Sequence, residues 1–311
     1  MNGIYFSVKP KIVVILGPTA VSKSKIALEL AQTINAEIIN ADSQQVYRYM
    51  DIGTEKPSQA DRELVRHHVI DVVNPDEEFN VAMFCQLATA GVTDIKSGGR
   101  DVIVCGGTGL YIKAFTRGLF VGPAQDAGVR ADLKAELEAH GLDFLYNRLT
   151  LVDPVATSWI HPNDQQRIIR ALEVYELTGK PMSEWQKAHG FGERPYEALT
   201  IGLDRERAEL YDRINRRCEK MAEAGLLDEV ASLVDNAYGL DLKPLRSVGY
   251  RHMGLVLKNE MSLDEALELM KRDTRRLAKR QLTWFRGEDG IQWHHPNDKE
   301  KIVAAVQRFL R

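Results

Sequence analysis

Eight consecutive residues, Gly17, Pro18, Thr19, Ala20, Val21, Ser22, Lys23 and Ser24, have the types and order of a phosphate-binding loop. In such a loop, backbone N–H groups and the N-terminus of the following helix cradle phosphate oxygens. The lysine adds a point charge, and the Ser/Thr hydroxyl ligates Mg2+. Lys23 and Ser24 stand where that chemistry needs them, but Ser22 stands where the pattern has its second glycine. If that position demands left-handed backbone, serine costs about 1–2 kcal/mol there. The alternative reading of the segment is an ordinary strand-to-helix turn.

Further polar residues follow. Asp42 closes a short apolar run and precedes Ser43, Gln44 and Gln45. In an open α/β sheet the ligand lies outside the carboxyl ends of the strands, so a strand-end aspartate there faces the phosphate pocket and can accept a proton from a nucleophile. It can also be a helix cap or turn residue. Ser43 and the glutamines are able to read a base edge, as well as to serve as an ordinary polar loop. Gly106-Gly107-Thr108-Gly109 ends a later strand without an acidic pair, which argues against an ATPase with a water-activating carboxylate. Thr108 is either a ligand-facing hydroxyl or part of a plain turn. Arg213 and Arg217 share one helix face and suit an anionic phosphate or simply solvent. Lys271, Arg272, Arg275, Arg276, Lys279, Arg280 and Arg286, with Trp284 and Phe285 among them, suit a nucleic-acid backbone or a solvated surface; so do Gln166, Arg167 and Arg170.

The elements needed to position these groups are legible as patterns. Residues 12–16 form an uninterrupted aliphatic run, suited to a central parallel strand, and a helical pattern (Ile26, Leu28, Leu30, Ile34) follows Lys23. Residues 37–41, 69–73 and 101–105 predict three more strands, and 81–96 a helix between the last two. This alternation predicts an α/β fold: a parallel sheet with helices on both faces, like that of P-loop NTPases. From 122 to 199 helical punctuation replaces strands. Leu133 and Leu137 make a stripe stopped by Gly141, Asp153-Pro154 predicts a cap with proline at the first helical position, Asn163 caps a helix ending at Gly179, and Ser183 caps another. Residues 200–203 return as a strand, and long helices follow. The expected organisation is a core of 1–121 and 200–311 with an all-helical insertion at 122–199.

Bulk properties bound the class without choosing within it. The 311 residues are 44% hydrophobic and 27% charged, with a net charge of −3, so any basic surface must be local. Cys85, Cys105 and Cys218 show no metal-ligand spacing, as expected of small buried hydrophobes in a reducing compartment. Neither a signal-peptide pattern nor a membrane-length apolar run is visible, and the expectation is a cytoplasmic protein with no membrane association.

Taken together, the blocks resemble the bacterial tRNA dimethylallyltransferase family. They are Gly17-Pro18-Thr19-Ala20, Asp42-Ser43-Gln44-Gln45-Val46-Tyr47, Met50-Asp51-Ile52-Gly53-Thr54 with Lys56-Pro57, Gly106 through Tyr111, His161-Pro162-Asn163-Asp164, Gln166-Arg167 with Arg170-Ala171-Leu172-Glu173, and Thr178-Gly179-Lys180. Val248-Gly249-Tyr250-Arg251 and Ala278 through Arg286 complete the series, in order over nearly the whole chain. The resemblance implies transfer of a dimethylallyl group from dimethylallyl diphosphate to N6 of the adenosine next to the anticodon in tRNA, with Mg2+ as cofactor and no protein partner. It implies that Gly17 to Ser24 hold the diphosphate, that Ser24 places Mg2+, that Lys23 and Arg217 bind the diphosphate, and that Asp42 is the general base. By the same resemblance Asp42, Ser43, Gln44, Gln45, Thr108 and Arg130 contact the tRNA near the reaction channel. Gln166, Arg167, Ile168, Ile169 and Arg170 on the insertion grip the anticodon stem-loop.

Ser22 departs from the family glycine, and the expectation from backbone strain is that Ser22→Gly tightens diphosphate binding. Three rivals are a P-loop small-molecule kinase using ATP, an adenylate isopentenyltransferase acting on free nucleotide, and a non-catalytic RNA-binding protein with a decayed loop. The helical insertion and basic C-terminal helix have no purpose in the first two, and intact Lys23, Ser24 and Asp42 speak against the third.

Overall fold

The computed structural model describes residues 9–118, 122–123, 125–189 and 193–311. The described residues fall into two compact units, those of 9–116 with 195–311 and those from 117 to 194, which come between the two segments in sequence.

The first unit is built on a parallel sheet of order β3-β2-β4-β1-β5-β6. Its strands are β1 (Lys11–Leu16), β2 (Ala36–Asn40), β3 (His67–His68), β4 (Asp101–Gly106), β5 (Glu197–Leu203) and β6 (Ile291–His294). Aliphatic β1 is central because both its faces are covered, and Ile12 to Ile15 are fully buried. The flanking helices are α1 (Lys23–Ile34), α2 (Gln59–Leu64), α3 (Val81–Ser97) and α4 (Gly109–Arg117), whose last residue lies past the unit boundary. The second unit carries α5 (Ala127–His140), α6 (Leu142–Val152), α7 (Gln165–Thr178) and α8 (Met182–His189). After β5 the first unit continues with α9 (Arg207–Glu223), α10 (Leu226–Asp235), α11 (Tyr250–Leu257), α12 (Leu263–Arg286) and α13 (Lys299–Leu310).

Several sequence expectations need correction. The third strand is His67–His68, not 69–73, because Val69 and Asp71 adopt positive φ (61° and 55°) and break the extended run. Asp71 turns there to accept from Lys56 and Arg62. β5 begins at Glu197, inside the stretch assigned to the helical insertion, because Lys11 and Ile12 of β1 still offer pairing partners there. The cap of α7 is Asp164, which accepts from Arg167 N–H, one residue after Asn163. Asp153 does accept from Ala156 N–H, but the element that follows is a single 3-10 turn, Ala156–Ser158, whose N-cap is Val155. Ser183 lies within α8, and its hydroxyl and N–H both donate to Asp153.

The second unit has its own core, with Leu133, Leu145, Leu149, Ile168 and Leu172 buried together. A fully buried carboxylate, Glu173, sits in that unit. It accepts from Arg130 Nε at 2.9 Å, Arg170 Nη1 at 2.7 Å and Asp126 N–H at 2.9 Å. Burial alone would raise its pKa, but these bonds outweigh it and hold the carboxyl below its ordinary value.

Candidate active site

The segment after β1 passes the sheet's carboxyl edge and turns into α1. Gly17 must be glycine: its φ is 150°, and a Cβ would lie 2.5 Å from the Leu203 carbonyl oxygen of β5. Ser22, at the helix N-cap, is left-handed with φ 84° and ψ 27°, and Ala20 shares a positive φ of 64°. Non-glycine residues in this region cluster at functional sites, where the surroundings hold them. Here the holders come from distant elements. The Thr19 N–H donates to Gln281 Oε1 of α12 at 2.9 Å, and Gln281 Nε2 donates to Gly107 O at 3.0 Å. Arg213 Nε of α9 donates to Ala20 O at 2.9 Å, and Arg217 Nη1 to Thr19 Oγ1 at 2.5 Å.

The buried stripe of α9 (Leu210, Ile214, Cys218, Met221) fixes that helix in rotation, leaving Arg213 and Arg217 on the loop side. Arg217 also pairs with exposed Glu55 at 3.1 Å. Lys23 Nζ donates to Pro18 O at 2.7 Å, and burial pulls its pKa down, an effect that an anion nearby would oppose.

Asp42 follows β2 at the same edge. Its Oδ1 accepts from the Gln44 N–H at 2.8 Å, an Asx turn that fixes the carboxylate's direction. Gly106 permits this edge to close, since a Cβ there would sit 2.1 Å from Ala41 O. Thr108 Oγ1 accepts from Ser43 N–H at 3.0 Å, and Gln45 Nε2 donates to Thr54 O and Glu55 O. Gln44 Oε1 is buried with no hydrogen-bond partner among the described residues, an acceptor left open next to Asp42. The nearby Cys105 thiol is pushed up to about 12 by burial and stays protonated.

A cleft of about 620 Å³ gathers Thr19, Ala20, Ser22, Lys23, Ser24, Asp42, Gln45, Arg213, Arg217 and Gln281 along its wall. Thr108, Ser43 and Gln44 are tied to that edge by the bonds just given. The RNA-contact expectations on the second unit fare differently. Gln166 and Arg167 are exposed, and Arg167 pairs only loosely with Asp164 at 3.3 Å. Ile168 and Ile169 are 0% and 7% exposed, so their side chains serve the helical core and cannot act as contacts. Arg130 and Arg170 close on Glu173, with Arg170 also donating to Pro123 O at 2.7 Å.

Sequence reasoning missed two braces. Glu229 accepts from the N–H groups of Asp51, Ile52 and Gly53 and from the Tyr250 hydroxyl, setting the loop whose carbonyls orient Gln45. Gln281 is the other. Gln281 sits inside the Ala278 to Arg286 block and Glu229 lies in α10, outside every block, and nothing local to either residue revealed its partners.

As to metal, the Ser24 hydroxyl offers a hard oxygen donor on the cleft wall, the chemistry Mg2+ prefers. No group of three His, Cys, Asp or Glu gathers among the described residues, so such an ion would rely on ligand phosphate oxygens and water. No helix of the described residues is long and apolar enough to cross a membrane.

A parallel sheet with a strand-to-helix turn after its central strand, facing a strand-end carboxylate across one cleft, defines a P-loop-like α/β protein. The comparisons carry this further. The family model described as IPP transferase matches residues 45–288. The chain is 49% identical over 303 residues to tRNA dimethylallyltransferase 2 of Syntrophus aciditrophicus (strain SB), with 97% of each chain covered. It is 47% identical over 302 residues to the tRNA dimethylallyltransferase of Geobacter metallireducens, covering 97% of this chain and 98% of the relative. Among solved structures, the tRNA isopentenylpyrophosphate transferase of Bacillus halodurans superposes with a TM-score of 0.72 at 40% identity, with 97% of each chain covered. A eukaryotic dimethylallyltransferase acting on tRNA gives 0.77 at 29% identity, covering 96% of this chain and 77% of that one. The chain belongs to the IPP transferase family.

Proposed function

We propose that this protein is a tRNA dimethylallyltransferase, moving the dimethylallyl group of dimethylallyl diphosphate to N6 of the adenosine next to the anticodon. The observation that carries the reading is the single cleft in which Lys23, Ser24 and Arg217 meet the Asp42 carboxylate. Family membership and near full-length likeness to transferases acting on tRNA support it.

The N6 amine attacks the allylic carbon, the C–O bond to the bridging oxygen breaks, and diphosphate leaves. Charge builds on the leaving oxygens, where the loop amides, Lys23 and Arg217 are preorganised to meet it. Ser24 would hold Mg2+ through its hydroxyl, and a bound Mg2+ would add to the neutralisation of that charge. Asp42 takes the proton that the new N–C bond releases. The nucleophile is weak, so holding it in line matters more than basicity. The turn that aims Asp42 and the open Gln44 Oε1 acceptor both favour an amine donor held at this edge. Exposed Gln166 and Arg167 are the side chains of the helical unit suited to the anticodon stem-loop, with Ser43, Gln45 and Thr108 nearer the base.

Incubation with tRNA, Mg2+ and dimethylallyl diphosphate, followed by nucleoside mass spectrometry, tests the reading. The expected product is adenosine heavier by one dimethylallyl group. Unmodified adenosine beside an active control enzyme overturns it.

A further inference from the structure

We propose that Ser22 is a positioning residue whose hydroxyl, with the Ala20 carbonyl, holds the Arg213 guanidinium at the phosphate-binding loop as a second arginine ligand for the diphosphate. The proposal rests on the transfer reaction above for the identity of that anion. A serine at a helix N-cap ordinarily accepts an N–H from the first helical turn. With φ 84° Ser22 makes no such bond. Its oxygen instead accepts from Arg213 Nη2 at 2.7 Å and lies 3.5 Å from Arg205 Nη2.

Arg213 is thereby held along one edge, through Nε and Nη2, while the rest of the guanidinium remains free to donate. Its fixed fork matches the geometry of phosphate oxygens. Arg205, the other arginine at this hydroxyl, is neutralised by Glu209. Arg213 forms no ion pair among the described residues and lines the cleft with Lys23 and Arg217. Burial, and the neighbouring Arg205 charge, pull its pKa down from the ordinary arginine value. An anion in the cleft relieves both effects.

The left-handed conformation of Ser22 is a cost shared by free and bound protein, so it bears on folding and cancels from affinity. A glycine here removes that cost but also the hydroxyl anchor. Ser22→Gly is therefore expected to weaken diphosphate binding, the reverse of the expectation from strain alone.

The test is calorimetric titration of the full chain with inorganic diphosphate in Mg2+, for the parent, Ser22→Gly, Ser22→Ala, Ser22→Asn, Arg213→Gln and Ser22→Gly with Arg213→Gln. Ser22→Gly and Arg213→Gln should each weaken binding about tenfold, the scale of one charge-assisted hydrogen bond. The double variant should be no weaker than the weaker single one. Asparagine tolerates left-handed backbone and keeps an acceptor, so Ser22→Asn should retain more affinity than Ser22→Ala. In turnover, KM for dimethylallyl diphosphate should rise in Ser22→Gly while KM for tRNA holds. Equal or tighter binding by Ser22→Gly, or multiplying losses in the double variant, overturns the proposal. Diphosphate binding by the parent without transfer to tRNA sinks the proposed reaction and leaves this test readable. A parent that binds no diphosphate overturns both.

Discussion

In the sheet-bearing unit Arg213 donates to a carbonyl and a hydroxyl, and Arg217 to the Thr19 hydroxyl with one exposed carboxylate, Glu55, beside it. In the helical unit Arg130 and Arg170 both close on the fully buried Glu173. Neutral acceptors orient a guanidinium without discharging it, whereas a buried carboxylate cancels the charge and makes the arginine part of the scaffold. The same residue type thus lines a cleft with neutral acceptors in one unit and forms a structural clamp in the other. Composition treats them alike.

The largest expected effect lies at Asp42, which shares the cleft wall with the arginines of the first unit. Asp42→Asn keeps the shape of the side chain but removes the proton acceptor, and single-turnover transfer should slow by about 10²–10⁴-fold. Dimethylallyl diphosphate affinity should hold, because Asp42 does not hold phosphate. Transfer within a few-fold of the parent would reduce Asp42 to a turn residue.

Next comes the clamp itself. Glu173→Ala leaves two part-buried guanidiniums without their acceptor and should destabilise the helical unit by about 1–3 kcal/mol. Hydrogen exchange resolved to residues 125–189 reads this directly. Arg213→Gln, by contrast, should leave stability nearly unchanged, and a comparable loss in both variants would dissolve the distinction between the two kinds of arginine.

Acid titration probes the same clamp without mutation. The Glu173 carboxyl has its pKa held below the ordinary 4.5 in the folded protein. Its contribution is therefore present above about pH 4.5, the unfolded value. It is lost as pH falls through the lower folded value. Exchange protection of the helical unit should drop in that acid window in the parent, and Glu173→Gln should abolish that part of the pH dependence.

The smallest effect concerns Arg167, the exposed arginine of the helical unit. Arg167→Gln should reduce the slope of log tRNA affinity against log salt by about 1, with stability unchanged. Arg170→Gln should instead weaken the Glu173 clamp. If Arg170→Gln altered the salt slope and left exchange protection intact, its assignment to the scaffold would be wrong.

What the sequence determined alone is what short-range patterns encode. The aliphatic run of β1, the strand-turn-helix around Lys23 and the placement of Asp42 just after β2 need only neighbours within a few residues. The left-handed demand at Ser22 was legible for the same reason, since the loop's spacing places a glycine there. Tertiary structure decided the rest. The two-residue β3 and the short β6 are strands because a neighbouring strand offers a ladder, not because their own residues alternate. Whether an arginine faces a cleft or a carboxylate depends on partners far away in sequence: Ser22 for Arg213, Thr19 for Arg217, Glu173 for Arg130. The family resemblance implies contacts along all of 166–170, yet helical rotation turns the Ile168 and Ile169 side chains into the core. Local pattern sets which groups exist and on which element. Long-range packing sets what each group faces, and that decides which charges remain for a substrate.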